Sequence, residues 1–357
     1  MPISLPSSPH IAIVMMSAIG DAVHVLPVVT ALERRHPDAR ITWVLQPGPA
    51  SLVRGHPSVD EIVIFEKSRG VRALFDVRRA LAGKSFDVVL NLQVYIKAGL
   101  VTALTTAPIK LGFDRARARD FNWLFTNRRI PPHAPAHVQD QYFEFLAELG
   151  VDPEPVVWNL GPWREERERQ RTLLRDFQLP IATLVIGSTH REKEWFPDRW
   201  AELSDALHER YGLEPVLAGG RSAREVETER EIVRLARHRP RSTLGVPLRD
   251  LVAIIDASGL VISLDTAPLH MSVALDRPVI SLMGYNNPRR VGPYRRYQDL
   301  IVDAYGDPGE DYPVSIAHRT GRMQRIQVAD VLAKVDRWAE RYRAPRDADR
   351  GAESTRS

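Results

Sequence analysis

Two short segments carry the residue types best suited to chemistry in this chain. The ranges Ser17–Asp21 and Asp265–His270 each follow an apolar run typical of a buried parallel strand, and each precedes the apolar periodicity of a helix. Open α/β sheets bind their ligands at the carboxyl ends of such strands. The first segment therefore offers a carboxylate as a proton acceptor, and the second offers a helix start suited to a phosphate.

Asp21 has two interpretations. Asp is a favoured N-cap residue, so its side chain could serve only to cap the helix that follows. Its place at the end of the first strand, with His24 one turn further on, instead favours a base that accepts a proton from a bound hydroxyl. Because no G-x-G-x-x-G follows this strand, a dinucleotide-binding interpretation is weak.

A polar loop follows the first strand of the second half of the chain. It contains Ser188, Thr189 and Lys193 and ends near Pro197, where a helix is predicted to begin. The loop could hold only solvated charges. In a functional interpretation the two hydroxyls and the ammonium contact phosphate oxygens, although the loop lacks the Walker pattern.

The segment Asp265–His270 gives the strongest signal. Pro268 suits the first turn of a helix, so Asp265 or Thr266 is a natural cap. Ala267 is small enough to let an anion approach the helix start. His270, one turn in, could reach the same anion or could be an ordinary core histidine.

A further candidate is Glu225, which comes shortly after Gly219 and Gly220 at the end of another predicted strand. The two glycines suit a helix-entry turn. They would also let a nucleotide approach the backbone, with Glu225 or a nearby acid on the ribose hydroxyls.

The elements that must position these residues alternate between strand-like and helix-like segments. The predicted strands are Ile11–Met16, Ile41–Leu45, Glu61–Phe65, Phe86–Leu92, Ile109–Gly112, Thr183–Gly187, Glu214–Ala218, Ser242–Leu244, Leu260–Leu264 and Val279–Leu282. Helical patterns lie between them, which indicates βαβ units and parallel sheets. The α/β chain is therefore predicted to contain two Rossmann-like domains.

The predicted join lies in a Pro- and Gly-interrupted stretch, 150–163. We expect a first domain over 1–160, a second over 161–327, a terminal helix over 328–343 and a disordered polar tail over 344–357.

Composition excludes several classes of protein. The chain has 357 residues and no cysteine, so disulfides, zinc–thiolate sites and thiol nucleophiles are absent. Its net charge of +4 permits an anionic partner, but no nucleic-acid reader motif occurs. The sequence contains no H-E-x-x-H pattern, so no metal site is predicted. No signal peptide or membrane span is predicted, so we expect a cytoplasmic protein.

One basic stretch, 112–129, places arginines among aromatic residues. Arg115 and Arg117 belong to it. The stretch could meet an acidic acceptor or a membrane surface. A surface loop with snorkelling arginines explains it equally well.

In combination, these segments resemble the heptosyltransferase-type enzymes of glycosyltransferase family 9, over about Ile11 to Trp338. The matching motifs are Ser17-x-x-Gly20-Asp21-x-x-His24 with Pro27, Lys193-x-Trp195-x-Pro197, Gly219-Gly220, Asp265-Thr266-Ala267-Pro268-x-His270, and Pro288-x-x-x-Gly292-Pro293-Tyr294. The resemblance implies the GT-B architecture, in which two Rossmann-like domains face each other across a cleft. It also implies that the terminal helix crosses back to the first domain.

The resemblance further implies the role of each site residue. Asp21 would be the general base. From their places in the sequence, His24, Arg115 and Arg117 are further predicted to lie on the acceptor side. The donor would be held by Ser188, Thr189, Lys193, Glu225, Asp265, Thr266, Ala267 and His270. Because Arg221–Arg224 look like an insertion, the acid that meets the ribose could be one other than Glu225.

The activity implied is inverting, metal-independent transfer of a sugar to a lipopolysaccharide inner-core acceptor. The expected donor is a nucleotide-sugar, ADP-heptose, and no cofactor is expected. The lipid-linked acceptor could bring the protein into peripheral contact with the inner membrane. Two alternatives remain: a nucleotide-sugar epimerase or hydrolase of the same fold, and a non-enzymatic protein that binds an anionic glycolipid.

Overall fold

The computed structural model describes residues 2–343, and the predicted tail over 344–357 lies outside the described residues. The described residues fall in two compact units, 2–161 and 162–343. Each unit is built on its own six-stranded sheet.

The sheet of the first unit is entirely parallel. Its strands are β1 (His10–Val14), β2 (Arg40–Leu45), β3 (Glu61–Ile64), β4 (Val88–Asn91), β5 (Ile109–Gly112) and β6 (Arg128–Arg129). The spatial order is β3-β2-β1-β4-β5-β6. Strands β2 and β3 are added on one side of β1, and β4, β5 and β6 are added on the other side. The strand order therefore reverses between β1 and β4, and their carboxyl ends form a topological switch point.

Five helices accompany this sheet. They are α1 (Ile19–Arg35), α2 (Pro47–Val53), α3 (Arg72–Leu81), α4 (Ile96–Ala103) and α5 (Val138–Glu148). Helix α1 is buried over most of its length, and α5 packs against it. Trp43 on β2 is completely buried, and its indole N–H donates to the carbonyl of Met15 at 3.1 Å.

The second unit repeats the plan. Its parallel strands are β7 (Ile181–Val185), β8 (Glu214–Ala218), β9 (Arg241–Ser242), β10 (Leu260–Leu264), β11 (Val279–Met283) and β12 (Ile301–Asp303), in the order β12-β11-β10-β7-β8-β9. Strands β8 and β9 lie on one side of β7, and β10, β11 and β12 lie on the other, so the strand order reverses between β7 and β10. A second switch point therefore lies at the carboxyl ends of these two strands.

Seven helices belong to the described part of this unit. They are α6 (Arg164–Leu173), α7 (Pro197–Tyr211), α8 (Ala223–Leu235), α9 (Leu248–Ala257), α10 (Ala267–Ala274), α11 (Pro288–Val291) and α12 (Val328–Arg341). Helix α12 packs on α7, β11 and β12. Its Trp338 is buried and donates its indole N–H to the carbonyl of Gly259 at 3.0 Å. That α12 also packs on the first domain stays a prediction.

The structure confirms two parallel-sheet, Rossmann-like units, and every predicted strand belongs to one of the two sheets. Four elements of the structure were not predicted from the sequence: β6, β12, α5 and α11. Strand β6 has two residues and β12 has three, so neither is long enough to show a periodicity. Helix α5 does show one, because Val138, Tyr142, Phe145 and Leu146, which are all buried, recur at helical spacing.

Within residues 2–343, no helix combines the length and apolar character needed to cross a bilayer.

Among the contacts that anchor the loop after β5 to α4, one is a close approach of Phe125 to Gly99. A Cβ built on Gly99 of α4 would lie 2.3 Å from Cδ2 of Phe125. We expect Gly99→Ala to lower the free energy of unfolding by about 1–3 kcal/mol, because the ring of Phe125 must move. Chemical denaturation of the full chain measures this change.

Gly48→Ala is the matched control, because Gly48 also lies in a short helix of the first unit. A Cβ there makes only ordinary contact with Ile19, at 3.8 Å. We expect that substitution to be neutral or stabilising by up to about 1 kcal/mol through helix propensity. Equal effects of the two substitutions would contradict the proposed anchoring contact.

Candidate functional site

The first unit places Asp21 at its switch point. Strand β1 ends at Val14, and the connection to α1 is held by Gln93, which follows β4. The side-chain oxygen of Gln93 accepts from the backbone N–H of Met16 at 2.9 Å, and its amide group donates to the carbonyl of Ser17 at 2.5 Å. The loop between β1 and α1, which leads into the helix turn of Asp21, is thus held by a residue that follows the neighbouring strand β4.

Asp21 itself is half-buried in the first turn of α1. The helix begins at Ile19 with Ala18 as its N-cap, so Asp21 is the third helical residue rather than the cap. Its Oδ2 accepts from the backbone N–H of Ala18 at 2.9 Å, and its Oδ1 accepts from the hydroxyl of Tyr142 at 3.1 Å. These bonds orient the carboxylate, and a carboxylate has further lone pairs to offer a hydroxyl.

His24 lies deeper in the same helix and is only 3% exposed. Its Nδ1 is 3.0 Å from Oε1 of Gln139, whose amide donates to the carbonyl of His24 at 2.7 Å. This reciprocal pair joins α1 to α5, so the structure gives His24 a packing role. A direct contact between His24 and an acceptor stays a prediction.

Arg117 is bonded to residues of its own unit, and a contact between Arg117 and an acceptor stays a prediction. Its guanidinium pairs with Asp114 and, at 2.7 Å, with Glu144 of α5. Although burial disfavours the charge, the bonds to Glu144 and Asp114 raise the pKa of Arg117 above its usual value. Arg115 is exposed and lies over the ring of Trp123, 4.4 Å from its centroid.

In the second unit, the predicted phosphate loop follows β7. Ser188 is buried, and its Oγ accepts from the backbone N–H of His190 at 3.2 Å, whereas Thr189 is exposed. The loop is anchored by Trp195, a buried residue whose indole N–H donates to the carbonyl of Ile326 at 3.0 Å. This anchor explains the tryptophan two residues after Lys193.

Lys193 and Asp265 form an ion pair at the switch point of the second sheet, because Lys193 follows β7 and Asp265 follows β10. Lys193 Nζ lies 2.9 Å from Asp265 Oδ2 and also donates to the backbone carbonyl of Asp265 at 3.1 Å. The two side chains are 14% and 8% exposed. The same Oδ2 accepts from the amide of Asn286, in the loop after β11.

Helix α10 begins directly after this pair, with Thr266 as its N-cap. Thr266 and Ala267 are partly exposed, and His270 is 8% exposed on the first turn. The positive end of the helix dipole therefore lies beside the ammonium of Lys193. Together they form an electropositive corner suited to an anion.

Glu225 lies near the carboxyl end of β8, at the same edge of the second sheet. Its carboxylate accepts from the backbone N–H groups of Gly220 at 2.7 Å and Ser222 at 2.9 Å. A Cβ on Gly187 would lie 1.9 Å from Oε1 of Glu225, so glycine makes room for this carboxylate. Burial opposes its ionisation, but the hydrogen bonds from Ser222 and Gly220 outweigh burial and lower the pKa of Glu225.

Three residues that form hydrogen bonds at Asp21 or near Asp265 were not identified from the sequence: Tyr142, Asn286 and His318. Tyr142 lies on α5, whose periodicity was a usable signal. Asn286 belongs to a polar loop after a predicted strand, where its type gave only a turn signal. His318 lies in an irregular segment, and its Nδ1 is 2.7 Å from Oδ1 of Asn286. No pattern in the sequence predicts that contact.

The described residues contain no group of three or more His, Cys, Asp or Glu side chains arranged to hold a metal ion.

Comparison with known proteins identifies the family. The model of glycosyltransferase family 9 (heptosyltransferase) matches residues 74–310. The chain is 27% identical over 344 residues to the lipopolysaccharide core heptosyltransferase OpsX of Haemophilus influenzae, covering 94% of this chain and 98% of that protein.

Solved structures show the same fold. A family 9 glycosyl transferase from Veillonella parvula has a TM-score of 0.80 at 21% identity, covering 94% of this chain and 98% of that one. The E. coli heptosyltransferase WaaC with ADP has a TM-score of 0.75 at 23% identity, covering 92% and 99%. The same protein with ADP-2-deoxy-2-fluoro heptose has a TM-score of 0.72 at 23% identity, covering 92% and 99%.

These likenesses confirm the GT-B-like fold class predicted from the sequence. The family match spans well over half of the chain, and the relatives are matched over nearly their whole length. The chain belongs to glycosyltransferase family 9 (heptosyltransferase) and is a glycosyltransferase.

Proposed function

We propose that this enzyme transfers heptose from ADP-heptose to an inner-core sugar of lipopolysaccharide, with inversion at the anomeric carbon and without a metal ion. The observation that carries the proposal is the buried Lys193–Asp265 pair at the switch point of the second sheet, beside the start of α10. The name of the Haemophilus influenzae relative supports the acceptor, and the ligands of E. coli WaaC support the donor.

Asp21 is the proposed general base. The acceptor hydroxyl gives its proton to the carboxylate as its oxygen attacks the anomeric carbon, and the bond from that carbon to the diphosphate breaks. One displacement inverts the centre, so one base is sufficient. The hydrogen bonds from Ala18 and Tyr142 support this role because they hold the carboxylate in one orientation.

The leaving diphosphate is the proposed partner of Lys193, Ser188 and Thr189, with Thr266, Ala267 and His270 at the start of α10. A fixed ammonium and a helix start stabilise charge as it develops on the departing group. In this scheme the nucleotide-sugar is a co-substrate, and these protein groups take the place of a metal. Unchanged turnover in a chelator is the expected result.

Glu225 is the proposed contact of the donor ribose. Three hydrogen bonds from Gly220 and Ser222 fix its carboxylate at the end of β8. A carboxylate so held can still accept from ribose hydroxyls, because each of its oxygens has two lone pairs.

The acceptor is lipid-linked, so we also propose a peripheral contact with the cytoplasmic face of the inner membrane. Tyr95 at the start of α4 is 52% exposed, and Phe121 and Leu124 after β5 are 66% and 60% exposed. Residues 110–129 contain six basic and two acidic side chains, in a chain whose total charge is only +4. Exposed apolar side chains among arginines suit an anionic bilayer surface.

Asp21→Asn tests the base. The amide keeps the size of the side chain but cannot take the proton, so we expect turnover to fall by about 10²–10⁴-fold. Binding of ADP-heptose, measured by calorimetry, is expected to be unchanged.

Lys193→Ala is the contrasting variant and is expected to weaken ADP binding, because it removes the ammonium from the diphosphate. Retained turnover in Asp21→Asn would exclude that residue as the base. Unchanged ADP affinity in Lys193→Ala would exclude the lysine as a donor contact.

Glu225→Gln is expected to destabilise the fold in a pH-dependent manner. The pKa of Glu225 is lowered in the folded chain, so its ionised form contributes stability above the ordinary value of 4.5. That contribution is lost as the pH falls through the lowered pKa. Denaturation of both proteins from pH 7 downward should show a stability difference that closes in acid, and a constant difference would contradict this assignment.

The membrane contact is tested by sedimentation with vesicles. We expect the wild-type chain to bind phosphatidylglycerol vesicles and not phosphatidylcholine vesicles. Replacing Phe121 and Leu124 together by serine is expected to weaken binding by about tenfold or more. Leu173→Ser, at a site 41% exposed in the second unit, is the control. Equal binding by all three proteins would contradict the proposed surface.

A further inference from the structure

Beyond the residues predicted to bind the donor, a chain of polar contacts continues from Asp265. Asp265 Oδ2 accepts from the amide of Asn286, and Oδ1 of Asn286 is bonded to Nδ1 of His318. An ionised carboxylate can only accept, so Asn286 must present its NH₂ group to Asp265. Its oxygen therefore faces His318, and Nδ1 of His318 must carry a proton.

His318 belongs to an irregular segment, 313–321, which is tied to loops at the ends of β7 and β11. The backbone N–H of Arg319 donates to the carbonyl of Tyr285 at 3.0 Å. The N–H of Gly321 donates to Glu192 at 3.0 Å. The amide of Asn287 donates to the carbonyl of Pro313 at 2.7 Å. These bonds fix the position of His318 beside the Lys193–Asp265 pair.

The imidazole of His318 also stacks on an aromatic ring. Its centroid is 4.8 Å from that of Tyr285, at an interplanar angle of 3°. His190, in the loop after β7, also stacks on Tyr285, with a centroid distance of 6.0 Å and an interplanar angle of 22°. A ring held by stacking and by one hydrogen bond has a defined orientation.

The imidazole of His318 offers a hydrogen-bond acceptor to a ligand. Burial lowers the pKa of His318, and the charges of Lys193 and Arg290 lower it further. The neutral ring with a proton on Nδ1 has an accepting Nε2, which no hydrogen bond reaches from the residues that the structure describes. His318 is exposed and Asn286 is partly exposed, so a ligand beside Asp265 can meet both.

We infer that Asn286 and His318, with Asp265, form the subsite that recognises the hydroxyl groups of the donor sugar. This inference rests on the proposed function and adds to it the residues that distinguish a sugar nucleotide from the bare nucleotide. Asn286 holds the carboxylate of Asp265, and His318 holds Asn286. Sugar hydroxyls donate to Asp265 and to Nε2 of His318, while the diphosphate stays with Lys193.

Calorimetry with two probes, ADP and ADP-heptose, tests the inference on the full chain. Wild-type protein is expected to prefer ADP-heptose. Asn286→Ala and His318→Ala are each expected to weaken ADP-heptose binding by about tenfold, as for the loss of one hydrogen bond to a charged or positioned group. ADP binding is expected to stay within about twofold, which also shows that each variant is folded.

Two further variants distinguish a role of His318 in positioning Asn286 from a general disturbance of the segment 313–321. His318→Gln keeps an N–H donor for Asn286 and is expected to recover part of the lost affinity. Ser315→Ala changes a residue of the same segment that contacts Asn287 instead, and it is expected to bind as wild type does.

The outcomes distinguish the inference from the proposed function. A wild-type chain that binds neither probe overturns the proposed donor, and this subsite with it. A wild-type preference for ADP-heptose that survives both alanine substitutions overturns the subsite alone. Parallel loss of ADP and ADP-heptose affinity in the alanine variants also overturns it, because the contacts would then serve the nucleotide or the fold.

Discussion

The ion pair of Lys193 and Asp265 is the constraint on which the second unit depends. A buried ammonium and carboxylate cost more in lost hydration than an exposed pair, so they need further hydrogen bonds to remain charged. The backbone carbonyl of Asp265 and the amide of Asn286 supply them. Three loops, after β7, β10 and β11, are thereby fixed at one point, and α10 begins there.

In the first unit, hydrogen bonds hold Asp21 in place. Its carboxylate accepts from the backbone N–H of Ala18 and from the hydroxyl of Tyr142. The proposed tasks of the two aspartates differ: Asp265 helps to bind the donor, and Asp21 accepts the proton of the acceptor hydroxyl.

The fold is predictable from the sequence because the central strands are short apolar runs bounded by turn residues, as in Leu260–Leu264. The place of Asp21 at or near the N-cap of α1 was predicted, but its exact position was not, because capping preferences do not fix where a helix begins. Asp21 is the third helical residue, and its side chain accepts from the N–H of the N-cap residue Ala18. The contact of Asn286 with His318 joins residues 32 positions apart through an irregular segment. Periodicity carries no information about such a pair, so it required coordinates.

The anchoring of the loop after β5 has a consequence for how this enzyme can diversify. Gly99 contacts Phe125, and Asn122 donates to the carbonyl of Tyr95 at 2.6 Å and accepts from Asn91 at 3.1 Å. These contacts hold the loop at its base while Phe121 and Leu124 remain at the surface. Substitutions at the tip can accumulate without disturbing β4 or α4, so the surface chemistry of this region can evolve separately from the sheet that supports Asp21.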